Sequence, residues 1–293
     1  MYIIDFFKNL VRKNNIGLII WMVLNLAFIM LMFSNGTWQG ALLGLGIYAV
    51  SMVIALSPIG EWILRVQNGC KSISDPADKE RFEPLFQEVY SKAKQMNPEL
   101  PDNIRLFISN SEEPNAFATG RKTVCVTRGL SIYSDDQIKG VLAHEFGHLA
   151  HKDTDAILVV AVGNMVVSAI FVIIRVIANI SMAIGEFFTA VFSEGWGGVL
   201  ASIMLRMSRV IADFMLVLIM RAWTQLGVWL CMHSSRRNEY EADEYAHKCG
   251  YAPYLCQVLE SFGTERSKNG LFAALASSHP ENADRISRLQ TLR

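Results

Sequence analysis

Five consecutive residues, His144-Glu145-Phe146-Gly147-His148, offer the most direct chemistry in this sequence. On a helix, side chains four apart lie one turn above each other on the same face. His144 and His148 then present two imidazoles to one metal ion, and Glu145 sits beside them to handle protons. Two neutral nitrogen ligands, an open position for water and a carboxylate to deprotonate it form the arrangement of a zinc hydrolase. Such a site needs a third protein ligand. A histidine six residues past His148 would be one source, but that position is Thr154. His151 reads as a solvated flank residue, and His233 and His247 have no metal-ligand partner at a diagnostic spacing. The carboxylates at 239–244 remain the best source. Spacing alone does not choose among Glu239, Glu241 and Glu244.

The elements that must position these residues are readable around them. Ser134 with Gln137 three residues on has the form of a capping box, and Asp135 and Asp136 suit the positive end of a helix. Ile138, Val141, Leu142 and Leu149 form an apolar stripe at helical spacing, so a packed helix runs from Ser134 to His151. Gly147 is a weak helix former, and its small size between the two ligands lets another segment come close. Upstream, 66–155 is charged and punctuated by Pro76, Pro84, Pro98 and Pro101. Asp78 to Met96 reads as an amphipathic helix, and Ile104–Ser109 and Thr123–Thr127 alternate like strands. Between those strands, Pro114 to Gly120 is a turn or a short edge strand. An exposed strand edge beside a metal helix can hold an extended peptide by backbone hydrogen bonds.

The remaining sequence is a membrane sequence. An apolar fraction of 52% with 18% charged residues is too apolar for an ordinary soluble enzyme, and zero net charge gives no electrostatic basis for binding nucleic acid. The five cysteines form no CxxC pair, which fits a reducing compartment. Asn14 to Gly60 carries no charge and breaks once, at Ser34-Asn35-Gly36-Thr37, which predicts two spanning helices near 16–33 and 39–57. Lys8, Arg12 and Lys13 precede the pair, and Arg65 and Lys71 follow it. The hairpin itself has no Lys or Arg, so both ends face the cytoplasm. A third span runs from Ala156 past Arg175 toward Gly185, and a fourth lies at about 208–232, with 186–207 between them as an apolar loop. Arg175, Asp213 and Arg221 are expected to pair across these helices and fix their register. Two crossings separate His148 from the 239–244 carboxylates, so the two lie on the same side of the membrane.

Taken together, HEFGH, the later RRNEYEAD from Arg236 to Asp243, and His279-Pro280 followed by Arg285 resemble the HtpX-type membrane metallopeptidases, kin of the CAAX prenyl endopeptidases. The likeness runs over nearly the whole chain. It implies an α+β, mainly helical integral membrane protein with four transmembrane helices and a cytoplasmic gluzincin-type zinc protease domain carrying a small β-sheet. The membrane pairs fall at 1–65 and 156–232, and the protease domain is split between 66–155 and 233–293. By the resemblance, zinc (one ion per chain) is held by His144, His148 and Glu239, with Glu145 as the base. Asp243 orients a ligand histidine and Arg285 is its buried partner. His279 steadies the transition state, and Asn115, Ala116 and Phe117 belong to the substrate-binding strand. The resemblance also implies peptide or protein substrates, quality control of damaged membrane proteins under stress, and a bacterial inner membrane. Two rivals are weighed on the residues. An intramembrane protease would not keep Asp135, Asp136, Lys139, Lys152 and Asp153 around its metal helix. A transporter or binding scaffold explains the charged spans but not HEFGH.

Overall fold

In a computed structural model that describes residues 2–12, 15–192, 195–261 and 282–292, the charge-free sequence after Asn14 forms two antiparallel helices. These are α2 (Ile16–Ser34) and α3 (Trp38–Ala55). Asn35 and Gly36 adopt positive φ in the turn between them, and the Thr37 hydroxyl caps α3 by accepting the Gly40 N–H at 3.2 Å. A short helix flanks each end of the pair: α1 (Tyr2–Arg12) precedes it and α4 (Pro58–Gln67) follows it. The apolar run after the HEFGH helix divides into α7 (Thr154–Ala161) and α8 (Asn164–Phe192). It then returns as α9 (Gly195–Lys248), a single helix of 54 residues, about 80 Å long.

Among the described residues, three helical stretches are long and apolar enough to cross a bilayer by length and composition: Ile16–Ser34, Trp38–Ala55 and Thr154–Thr189. α9 lies beside them. Trp223 sits against Trp21 and Phe28 at centroid distances of 5.3 and 5.2 Å, and Phe28 stacks on Phe171 of α8 at 5.4 Å.

Two expectations for this half need correction. Residues 186–207 are helical wherever described and do not form a loop. Glu186 faces Arg206 across the α8–α9 seam at 3.8 Å, and the Thr189 and Ser202 hydroxyls donate to carbonyls of their own helices, Gly185 and Val199, so these polar residues are accommodated without the backbone leaving the helix. The charge cluster also has a different membership. Arg175 forks onto Asp213, with one N–H···O contact at 2.8 Å, and Arg209 donates to Asn179 at 2.7 Å, while Arg221 is exposed and outside the group.

The second half of the fold is a helical layer on a small sheet. Its strands are β1 (Lys71–Ser72), β2 (Arg105–Ser109), β3 (Ala116–Thr119) and β4 (Thr123–Thr127), in the order β1-β2-β4-β3. β2 and β4 are parallel, and the other pairings are antiparallel. β3 is therefore an edge strand. The HEFGH helix α6 (Asp135–His151) packs against β3, α5 (Pro76–Met96) and α10 (Ala252–Ser261) pack on α6, and α11 (Asn282–Thr291) lies against α10 and α9. The predicted capping box is present: Ser134 N–H donates to Gln137 Oε1 at 3.0 Å, and Gln137 N–H donates to Ser134 Oγ at 3.4 Å. Phe146, between the two histidines, is fully buried between Phe86 (5.5 Å) and Tyr90 (5.6 Å). Burying such a ring stabilises by roughly 1.5–3 kcal/mol, so the motif's apolar position fixes the rotation of its helix.

Candidate metal centre

Each group of the site is delivered by a different element. α6 carries His144, Glu145 and His148; α9 carries Glu239 and Asp243; α11 carries Arg285. α6 and α9 cross at Gly147, where a Cβ would come within 2.8 Å of the Ala242 Cα. The small residue expected to admit a neighbour does so, and the neighbour is the helix with the carboxylates.

The crossing brings three donor groups together. His144 Nε2 lies 3.3 Å from Glu239 Oε2, His148 Nε2 lies 3.4 Å from Glu239 Oε1, and the two Nε2 atoms are 3.2 Å apart. Among the described residues, His144, His148 and Glu239 form the one group of three or more ligating side chains close enough to share a metal. Glu241 and Glu244, also candidates by spacing, instead pair with Arg237 and Lys248 at 2.8 Å on the outer face of α9. His151 packs edge-on against Tyr245, and His247 is outside the group. His279 and its Ser-His-Pro segment lie outside the described residues, and the side chain of His233 does too.

The chemistry of this donor set suits a cation. The Nδ1 atom of each ring faces a carboxylate, Asp243 at 2.9 Å for His144 and Asp153 at 3.3 Å for His148. Each Nδ1 therefore carries the proton, and each Nε2 turns a lone pair inward. Two nitrogen lone pairs and a carboxylate face one another in a buried pocket, an arrangement that is repulsive without positive charge between them. Two imidazoles and a carboxylate are a zinc-type donor set.

The electrostatics agree. Burial pulls the His144 ring toward neutrality, but its hydrogen bonds to Asp243 and Glu239 outweigh this and raise its pKa. For His148 burial acts the same way, and Glu239 and Asp153 raise it well above the ordinary value. Burial would raise Asp243, yet the Arg285 fork and His144 bring it down to about 2. Arg285 donates to Asp243 from Nε at 2.8 Å and from an Nη at 2.6 Å. Burial disfavours its charge, but Asp243 and Glu239 hold the guanidinium firmly protonated.

The strand edge completes the site. Thr127 N–H donates to the Asn115 carbonyl at 2.9 Å, and Ala116 opposes Val126 in the antiparallel register. By the alternation of such a pair, Asn115, Phe117 and Thr119 turn their backbone groups toward β4, whereas Ala116 and Ala118 turn theirs to the open edge. Ala118 N–H donates to Glu145 Oε2 at 2.7 Å.

The family model of Peptidase family M48 matches residues 76–293. The chain belongs to this family. Protease HtpX of Shewanella sp. (strain MR-4) is 29% identical over 296 residues, covering 94% of this chain and 96% of that protein. Protease HtpX of Pseudomonas paraeruginosa (strain DSM 24068 / PA7) is 27% identical over 265 residues, or 79% and 80% of the two chains. A crystal structure of S. mikatae Ste24p aligns with a TM-score of 0.42 and 21% identity, over 98% of this chain and 65% of that one. This chain thus spans about two thirds of that protein's length. The HtpX-type resemblance read from the motifs is borne out. As an M48 member with long apolar helices, the chain is a protease and a multi-pass membrane protein, with a candidate metal site at its HEFGH helix.

Two M48-site features escaped the sequence reading. Asp153 orients His148 from just past the helix end, where Lys152 adopts positive φ; the H-x4-D spacing was the available signal. Ala118 shares the open edge with Ala116, whereas Asn115 and Phe117 turn their backbone groups toward β4, a distinction that only the strand register makes.

Proposed function

We propose that the chain is a zinc-dependent endopeptidase that hydrolyses peptide bonds in misfolded or damaged membrane proteins at the cytoplasmic face of a bacterial inner membrane. The observation that carries this reading is the convergence of two imidazole lone pairs and a carboxylate beside Glu145 and an open strand edge. Zinc held there by His144, His148 and Glu239, one ion per chain, would supply Lewis acidity toward water and toward the scissile carbonyl. Glu145 takes a proton from the attacking water and passes it to the leaving amine nitrogen as the C–N bond breaks. The Ala118 N–H, by holding one carboxylate oxygen, aims Glu145 before substrate arrives. Backbone groups of Ala116 and Ala118, flanked by Asn115 and Phe117, add the substrate as a further strand. Asp243 and Asp153 keep the imidazoles in the tautomer that ligates through Nε2, and Arg285 fixes Asp243. His279 takes the role the resemblance gives it, holding the developing oxyanion.

The same reading gives the chain four crossings: α2, α3, α7 with α8, and the part of α9 before Arg236. Residues 1–65 and 156–232 are then the membrane pairs, and 66–155 and 233–293 the two parts of the cytoplasmic domain. The exposed Arg236 and Arg237 at the exit of α9 support that orientation.

Metal analysis of detergent-purified protein handled without chelators tests the proposal, alongside casein cleavage. The wild type is expected to carry stoichiometric zinc and to cleave, and Glu239→Ala to lose both. A wild type devoid of zinc overturns the assignment. Reporter tags that put positions 150 and 240 on opposite faces overturn the topology.

A further inference from the structure

The turn that joins β3 to β4 is held by more buried charge than a hairpin tip needs. Glu61 of α4 is 2% exposed and points into that turn. Its carboxylate accepts the Arg121 N–H at 3.3 Å, the Lys122 N–H at 3.2 Å and the Thr123 hydroxyl at 2.6 Å. Gly120 is compressed against it: φ is +61°, and a Cβ there would come within 2.4 Å of the Glu61 carboxyl carbon. The Arg121 side chain forks onto Asp155 of α7 at 3.1 and 2.7 Å and reaches Asp5 of α1 at 2.9 Å. Thr154, beside Asp155, donates its hydroxyl to the Gly120 carbonyl.

Three helices outside the sheet therefore converge on four residues, Gly120 to Thr123. Those residues begin where β3 ends, two positions after the Ala118 N–H that holds Glu145. α1 and α4 also share a design. Each turns a carboxylate inward to the tip and leaves apolar side chains exposed, Ile4 and Phe7 on α1 and Ile59, Trp62 and Val66 on α4. Each also adjoins one end of the α2–α3 pair, where an apolar outer face meets the membrane interface.

Building on the peptidase reading above, we infer that Glu61 and Arg121 are positioning residues for the substrate strand. They tie the β3–β4 tip to the helices that flank the first membrane pair, and so set where the Ala116–Ala118 edge stands relative to Glu145. Neither residue touches the reacting atoms. Their effect reaches the site through the tilt of β3.

The test compares full-length wild type with Glu61→Gln, Arg121→Ala and the milder Arg121→Lys, all in detergent with zinc. Two quantities are read: backbone amide exchange across Ala116–Thr119, and steady-state cleavage of an unstructured casein peptide. The Arg121→Ala chain is expected to exchange its β3 amides about tenfold faster or more, the size of effect that losing a charge-assisted hydrogen bond produces, while β2 stays protected. KM should rise about tenfold at unchanged zinc content, and Arg121→Lys should recover part of it. A merely structural role would instead lower the active fraction and hence kcat, leaving the KM of the surviving enzyme alone. Wild-type exchange in β3 for both Arg121 variants overturns the inference, and so does faster exchange with unchanged KM. A wild type that cleaves nothing defeats the peptidase reading and this inference together. A wild type that cleaves while all variants share its KM defeats this inference alone.

Discussion

Replacing Gly147 by valine should separate metal binding from folding. A Cβ at this position would sit 2.8 Å from the Ala242 Cα, a backbone atom that cannot swing aside. Carbon atoms rest about 3.5–4.0 Å apart, so α6 and α9 must part by roughly 0.7–1.2 Å before the valine methyl groups are even counted. Metal–ligand distances tolerate about 0.2 Å. The displacement falls between His144 and His148 on one helix and Glu239 on the other, so the donor set opens. Overpacking costs about 1–3 kcal/mol, offset only by a few tenths from the better helix propensity of valine over glycine. Gly140→Val is the control. Its Cβ would meet the Leu255 backbone nitrogen at 2.9 Å, on α10 and away from the ligands. Both variants should melt lower by similar amounts in thermal scans of the metal-free protein. Only Gly147→Val should lose zinc affinity, on the order of 100-fold, in competition with a chromogenic chelator. If Gly147→Val binds zinc like the wild type, or Gly140→Val loses it equally, the helix crossing does not set the metal geometry.

Glu145→Gln should retain full zinc while turnover falls about 10²–10⁴-fold, measured by metal content and casein cleavage on one preparation. Asp243→Asn leaves all three ligands in place but removes the negative charge that faces His144 Nδ1 and anchors the Arg285 fork, and zinc affinity should weaken about 10–100-fold in the chelator assay. Glu241→Gln and Glu244→Gln, whose carboxylates pair with Arg237 and Lys248 away from the donor set, should leave zinc content and cleavage unchanged. Asp5 is held below the ordinary carboxylate range, chiefly by its hydrogen bond to Arg121. Because the folded value is the lower one, its contribution is complete above the unfolded carboxylate pKa and is lost as pH falls through the folded value. The gap in urea midpoint between wild type and Asp5→Asn should therefore shrink on acidification; a gap that widens contradicts the pairing.

What the sequence revealed, and what it concealed, follows from how local each signal is. The α6 helix, its cap and its metal face depend on residues within one or two turns of each other, and all were predicted. Glu239 could not be told from Glu241 and Glu244 because the choice depends on which face of α9 meets α6, and Gly147 against Ala242 decides that at a distance in sequence. Gly195-Trp196-Gly197-Gly198 suggested a loop, yet the helix begins at Gly195, with Trp196 left exposed. Glu61, a carboxylate directly after a span, carries no local signal beyond that of an interfacial charge. Its role appears only when the β3–β4 tip folds back 60 residues later.

The 54-residue α9 has a mechanical consequence. One rod carries both the segment packed against the first membrane pair, where Leu230 meets Gly17, and the carboxylate of the metal centre nine residues further along. Nine residues of helix span about 13 Å, so pivoting the rod by ~5° at that contact moves Glu239 by about 1 Å. Bilayers of different thickness retilt their helices. On the four-crossing reading proposed above, a thinner or thicker bilayer would thus shift Glu239 against His144 and His148, and the lipid would share in setting the spacing of the donor set.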